Sequence, residues 1–370
     1  MAPCSPLPDG YRDLRDHVAW ADAGRRSTVL VSGEDAVRFV DGFCTAALST
    51  LAPGEGTEAF FPDARGQVLL LATVFRGPDG VWIDADPAVP VTVEGAGGEW
   101  SLAAHLERYH IRERLEISDR SDHFAALFLA GPTAGAWIER GAAATLPEEA
   151  IPAEDAVRGP SLPVQLVRPF GRIADVAAGN LPAVCGGVPA AVLRGEWLGP
   201  GTCLVVVARD DRGRLVERWQ GDGIVEASAG AIDAVRREEG RLSAVDVPPR
   251  ALPQELGRDD RAISFTKGCY LGQETVARID ALGHVNRRFV GIVAAADVLA
   301  GPGATVTIRG SGEAVGTITS SGPTPLFDGW LGLGLVRTSA LAAGIELEIA
   351  GFAARWVDLP PRRGGKGAVA

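Results

Sequence analysis

Lys267-Gly268-Cys269-Tyr270-Leu271-Gly272-Gln273-Glu274 gathers the rarest residue types of this 370-residue chain into eight positions. Of its 36 lysines and arginines only Lys267 and Lys366 are lysine, and one of its three tyrosines and one of its five cysteines lie in the same stretch. A composition that writes arginine almost everywhere points to high-GC coding bias, under which a surface lysine drifts to arginine at little cost. Arginine does not replace a compact, three-donor ammonium on a flexible stem where geometry matters. Lys267 is therefore expected to do something arginine cannot, whereas Lys366 lies in a Gly-rich tail that carries no such argument. Gly268 and Gly272 bracket Cys269 and permit a tight backbone that exposes it. A lysine two residues away favours the thiolate, the nucleophilic and metal-binding form. Glu274 pulls the other way, and the sign of the balance stays open.

Working outward, 46% hydrophobic and 22% charged residues fit an ordinary globular chain with room for two or three domains. No apolar run approaches the length of a membrane span. The start, residues 1–17, is acidic and polar rather than basic and then apolar, so a cytoplasmic location is expected. Cys4, Cys44, Cys185, Cys203 and Cys269 are scattered, with no CxxC pair or Cys/His cluster, which reads as reduced thiols and no metal site. A net charge of −11 disfavours nucleic acid as a direct partner. Cys44 and Cys203 follow or sit in apolar runs and read as core. The five histidines lack metal-ligand spacing.

The periodicity predicts a helix at 34–40, a hairpin over 66–75 and 81–84, a short helix at 100–110 and strands at 115–117 and 124–129. Residues 158–163 read as a loop, and a helix over 227–239 ends at Gly240. Beyond 286 the character changes: six short β-rich runs (289–294, 304–308, 314–319, 331–336, 345–350, 353–357) alternate with Gly and Pro turns, as in a small antiparallel barrel or sandwich.

These residues together resemble a family. The octapeptide is similar to the KGCYxGQE signature of the YgfZ family, relatives of the glycine-cleavage T protein. The similarity extends through Arg237-Glu238-Glu239-Gly240-Arg241, Asp246, Leu252-Pro253-Gln254-Glu255 and Ala262-Ile263-Ser264-Phe265 before it. After it come Val276-Ala277-Arg278-Ile279 and 283–288, with weaker likeness at 39–51, 115–132 and 315–321. The resemblance implies an α+β, three-domain folate-binding fold with a C-terminal antiparallel β-barrel. The implied division is residues 1–285 for the folate-binding region in two α+β subdomains (the second roughly 57–120), 286–358 for the barrel and 359–370 for a disordered tail. It implies tetrahydrofolate or a related folate as cofactor, and iron–sulfur assembly or client proteins as partners. The expected function is biogenesis or repair of iron–sulfur clusters, including those used in tRNA modification. Cys269 would be the functional thiol, with Lys267, Gly268, Tyr270, Gly272, Gln273 and Glu274 around it. Glu239, Asp246, Glu255 and Arg278 are the folate-contact candidates, Glu239 and Glu255 because a carboxylate is the natural partner for the donors of a pterin ring.

The alternative is a tetrahydrofolate-dependent aminomethyltransferase or related C1 transferase, and here the sequence departs from the pattern. The transferase Asp follows an Asn-containing strand end. The matching stretch Trp82-Ile83-Asp84-Ala85-Asp86-Pro87-Ala88-Val89-Pro90 has no Asn, Asp84 and Asp86 come early, and Glu94 lies in a Gly-rich loop. The stretch that resembles the pterin-holding GEDG segment, Leu198-Gly199-Pro200-Gly201, lacks the acid. A third reading, a hydrolase with Cys269 as nucleophile and His284 as base, rests only on that pair of residue types.

Overall fold

Cys203-Leu204-Val205-Val206-Val207 is apolar at every position, as a strand covered on both faces must be. In a computed structural model of the chain, strand Thr202–Ala208 sits well inside a long sheet. The structure describes residues 7–77, 79–86, 100–143, 164–166, 183–184 and 188–361. Readings that fell on Cys4, Pro87, Pro90, Glu94, 158–163, Cys185 and 362–370 lie outside them. The period of two along a strand separates its side chains onto two cores. Leu204 and Val206 join a cluster with Phe128, Leu193 and Ala234. Cys203, Val205 and Val207 join one with Trp20, Leu129 and Trp219 on the other face. Helices Tyr11–Asp16 and Ala229–Glu238 cover the first face, and Ala134–Ala143 and Arg212–Gly221 the second.

The sheet continues through both halves of the region ahead of the barrel. Its order is Val225–Glu226, Ala19–Asp22, Phe124–Ala130, Thr202–Ala208, Val188–Gly195, Val164–Leu166, Glu55–Pro62, Val68–Arg76, Val81–Ala85, Ser27–Ser32 and Glu116–Asp119, with Ala183–Val184 off this path against Val188–Gly195. The predicted hairpin is Val68–Arg76 with Val81–Ala85. Ser27–Ser32 lies far from these strands in sequence, yet it pairs with Val81–Ala85. The helices at 36–41 and 102–107 pack on this half through Phe39, Val40, Leu102 and Leu106.

All six β-rich runs become strands of one closed barrel, Arg287–Ala294, Gly329–Arg337, Ala314–Thr324, Thr305–Ile308, Leu347–Ile349 and Phe352–Val357 in order around it. The chain thus has a mixed α and β architecture with a C-terminal antiparallel barrel. Buried carboxylates tie the barrel to the rest. Asp246, 0% exposed, accepts hydrogen bonds from Thr319 Oγ1 (2.6 Å), Arg236 Nη1 (2.5 Å) and the amide and hydroxyl of Ser243. Glu238 accepts from Thr324 Oγ1, the Leu326 amide and the Tyr11 hydroxyl. Such buried charges are tolerable only because every oxygen is engaged. Phe60, Leu256, Phe289 and Leu333 form an apolar cluster across the same junction, with Leu359 packed beside it.

Candidate functional site

The octapeptide is a loop followed by helix Gln273–Leu282. Gly272 begins that helix at φ +79°. A Cβ there would come within 2.3 Å of the Asp63 carbonyl and 2.9 Å of Gly66 Cα. Gly66, itself at φ +79°, meets Thr275 and the Gly272 carbonyl in return. Two main chains thus touch with no side chain between them, and only glycine allows both the φ and the approach. Gly268 has nothing within 4 Å of its Cβ position and a φ open to any residue.

Lys267 is sealed, its side chain 2% exposed. Its Nζ donates to the carbonyls of Asp41 (2.6 Å), Cys44 (2.9 Å) and Ala46 (2.6 Å), lies 3.4 Å from Asp41 Oδ1 and stands 5.2 Å from the centre of the Tyr270 ring. The Leu271 amide donates to the Gly42 carbonyl, adding a backbone tie to the same turn. An ammonium has three donors. All three are spent on this turn, so Lys267 clamps the loop instead of serving the neighbouring thiol. Its field falls on Cys44: burial pushes that thiol up to about 11, against the pull of Lys267. Burial, then the nearness of Cys44, pushes the Tyr270 hydroxyl up to about 12. Cys269 points out into solvent as an exposed free thiol. Glu274 is exposed and pairs along the helix with Arg278 at 3.1 Å.

A cavity of about 420 Å³ opens above the second half of the sheet, lined by Arg26, Glu58, Asp84, Asp86, Trp197 and Arg258 among others. Its floor carries a row across neighbouring strands, Glu58 opposite Thr73 and Thr73 opposite Asp84. Asp84 is held by Arg26 through Nε and Nη2 at 2.7–3.0 Å. Among the described residues Asp86 accepts the Ala244 amide alone, at 3.1 Å. A second cavity of about 720 Å³, lined by Gln254, Asp259, Asp280 and His284 among others, shares Arg241 and Arg258 with the first. Among the described residues no group of three or more His, Cys, Asp or Glu side chains is placed to hold a metal ion, and no helix is long and apolar enough to cross a membrane.

The GCVT N-terminal domain matches residues 7–161, and the glycine cleavage T-protein C-terminal barrel domain matches residues 287–361. The chain therefore matches the N-terminal and the C-terminal domain models of the glycine-cleavage T protein. It is 24% identical to a putative chloroplastic transferase of Arabidopsis thaliana over 88% of this chain and 67% of that protein. The mitochondrial iron–sulfur cluster assembly factor IBA57 of Mus musculus is also 24% identical, over 90% and 82%. An aminomethyltransferase of Synechocystis is 23% identical over 93% and 84%. The crystal structure of glycine cleavage system aminomethyltransferase T from Bartonella henselae superposes with a TM-score of 0.71 over 95% of this chain and 89% of that one, at 19% identity, which speaks for the fold alone.

Within this T-protein fold the four folate-contact candidates do not meet. Asp246 has no surface to offer a ligand. Glu255 is buried and held by Arg287 through Nε (2.8 Å) and Nη2 (2.7 Å). Glu239 pairs with Arg15 and packs over Gly199. Arg278 lies on the exposed face of its helix. None of the four lines the 420 Å³ cavity, whereas Glu239 and Glu255 line the larger one. Sequence reasoning passed over Glu196, two residues before the acid-free Leu198-Gly199-Pro200-Gly201. Glu196 lines the smaller cavity but is taken by Arg241 (2.6 Å) and Arg261 (2.5 Å). Trp197 is the one tryptophan on the lining of either cavity, its ring across Gly195 and 6.3 Å from Phe128. His284 is exposed, and its Nδ1 lies 3.0 Å from the Leu282 carbonyl, with no contact to Cys269.

Proposed function

We propose that this protein is a folate-binding factor of the YgfZ type that assists biogenesis or repair of iron–sulfur clusters through Cys269. The observation that carries the reading is the mounting of that thiol. It is exposed, while the residues on either side of it are fixed by the Lys267 clamp and by the Gly66–Gly272 contact. A mobile side chain on a rigid loop suits delivery to a second protein. One cysteine cannot hold a cluster alone, so any cluster contact uses ligands from a partner or an exogenous thiol. Similarity to IBA57 supports the same reading. The folate part rests on the 420 Å³ cavity, a size usual for small-molecule sites. Asp86 offers an acceptor to the donor edge of a pterin, and Trp197 offers a flat wall.

The test compares wild type with Cys269→Ser for rescue of an iron–sulfur enzyme activity in cells lacking the protein, alongside tetrahydrofolate binding by both. The expected result is lost rescue with binding retained. Equal rescue by Cys269→Ser would sink the role of the thiol. The second reading, an aminomethyltransferase, is favoured by the 23% identity to the Synechocystis protein along nearly its whole length. Turnover of an aminomethyl donor with tetrahydrofolate would establish it in place of the first.

A further inference from the structure

The wall between the two cavities is an ion network drawn from four separate stretches of chain. Arg258 donates through Nε to Glu58 Oε2 at 2.8 Å, and Arg261 lies 3.4 Å from Glu58. Arg261 and Arg241 both donate to Glu196. Three guanidinium groups therefore share two carboxylates by direct contact, with Asp260 acting on Arg261 from the side of the larger cavity. Among the described residues the buried Nε–H groups of Arg241 and Arg261 have no acceptor, so the network is short of acceptors. Burial, and next repulsion from Arg258, lowers the Arg241 guanidinium from its ordinary value.

The far side of the same cavity has the opposite imbalance. There Arg26 is paired with Asp84 and also feels Asp86, two acids to one base. The remaining acids on the wall are matched: Asp22 is paired with Arg212, and Asp233 with Arg236 and Arg237. Glu58 and Asp84 occupy the same row of the sheet with one strand between them. Two strand spacings put their Cα atoms roughly 10 Å apart. The cavity thus has two acids on one base at one end and, at the other, two arginines of which Arg241 keeps an unmet donor, over about the length of a small elongated molecule.

We infer that Arg241 and Arg258 form a carboxylate subsite, and that the cavity takes a ligand with a hydrogen-bond-donor edge at one end and a carboxylate at the other. This rests on the folate reading and deepens it: the pterin lies toward Asp86, and the glutamate carboxylate completes the arginine network. A charge-assisted contact of this kind fixes orientation as well as affinity.

Titration calorimetry of the full chain with three probes tests the inference: tetrahydrofolate, 6-methyltetrahydropterin (no glutamate) and p-aminobenzoyl-glutamate (no pterin). Tetrahydrofolate should bind at least about tenfold more tightly than the pterin, and more weakly as salt rises. Arg241→Gln should weaken tetrahydrofolate and p-aminobenzoyl-glutamate but leave the pterin unchanged. Glu196→Gln, which removes a negative charge from Arg241 and Arg261, should tighten both glutamate-bearing probes, a gain that misfolding cannot imitate. Equal binding of tetrahydrofolate and the pterin overturns the carboxylate subsite and leaves the folate reading standing. Binding of p-aminobenzoyl-glutamate with the predicted variant effects, but none of tetrahydrofolate, does the reverse. If no probe binds, both fail.

Discussion

At Lys267 three N–H groups meet three carbonyls within 2.9 Å, in a pocket closed to water. A guanidinium is planar and too wide to place donors on three carbonyls of one tight turn. Lys267→Met should therefore cost about 3 kcal/mol, from buried acceptors left unmet, and Lys267→Arg should not restore it, as urea unfolding will report. Compositional rarity singled out this lysine, and the three-carbonyl clamp supplies the physical reason for expecting that arginine cannot replace it. Its partners could not be read in the same way, because every residue has a carbonyl and nothing in the letters says which ones turn inward. Asp259 makes a second residue-scale prediction. Burial, then the charges of Asp260 and Asp280, pushes its carboxyl up to about 6. A folded pKa above the unfolded value means that the native state holds the proton longer. Stability from this group is full below about 4 and lost as pH rises to about 6. Allowing for partial solvation, the loss should be about 1–2 kcal/mol. Asp259→Asn should flatten that slope and raise the unfolding midpoint at pH 7.

The start of helix Gln273–Leu282 depends on a contact that belongs to two elements at once. Gly272→Ala forces a Cβ against the Asp63 carbonyl at a left-handed φ, and should cost about 2–4 kcal/mol. Gly268→Ala should be within about 0.5 kcal/mol of wild type, although it stands next to Cys269 and Gly272 three residues away. Thermal unfolding of the two variants side by side checks this. The sequence treats the two glycines alike, since only the second faces another backbone. The barrel, by contrast, was legible strand by strand, because its runs are short, β-rich and separated by Gly and Pro turns. The long sheet was not. Its neighbours Ser27–Ser32 and Val81–Ala85 are some fifty residues apart, and period-two patterning identifies strands without naming their partners.

Across the whole molecule, the buried bonds of Asp246 and Glu238 and the cluster around Phe289 join the barrel to the remaining chain. Barrel and sheet should therefore unfold together: fluorescence of a single tryptophan kept at Trp330 should trace the same urea transition as far-ultraviolet circular dichroism. Asp246→Ala, which leaves Arg236 only its partly exposed partner Asp233 and leaves the buried Thr319 hydroxyl without its carboxylate, should cost about 3 kcal/mol and separate the two curves. The similarity run that passes through Asp246 and Glu255 led the sequence reading to ligand contacts. The same residues are joints, and a strong motif alone does not distinguish the two roles. Asp86, Trp197 and the arginine network come from stretches far apart in the chain, so their meeting is a product of topology. The enclosure of Lys267 also has a practical side. With the Lys267 ammonium shut away, an amine-specific acylating reagent reaches it only when its loop opens. Acylation of Lys267 would then serve as a clock for the opening of the loop that carries Cys269, read directly by mass spectrometry.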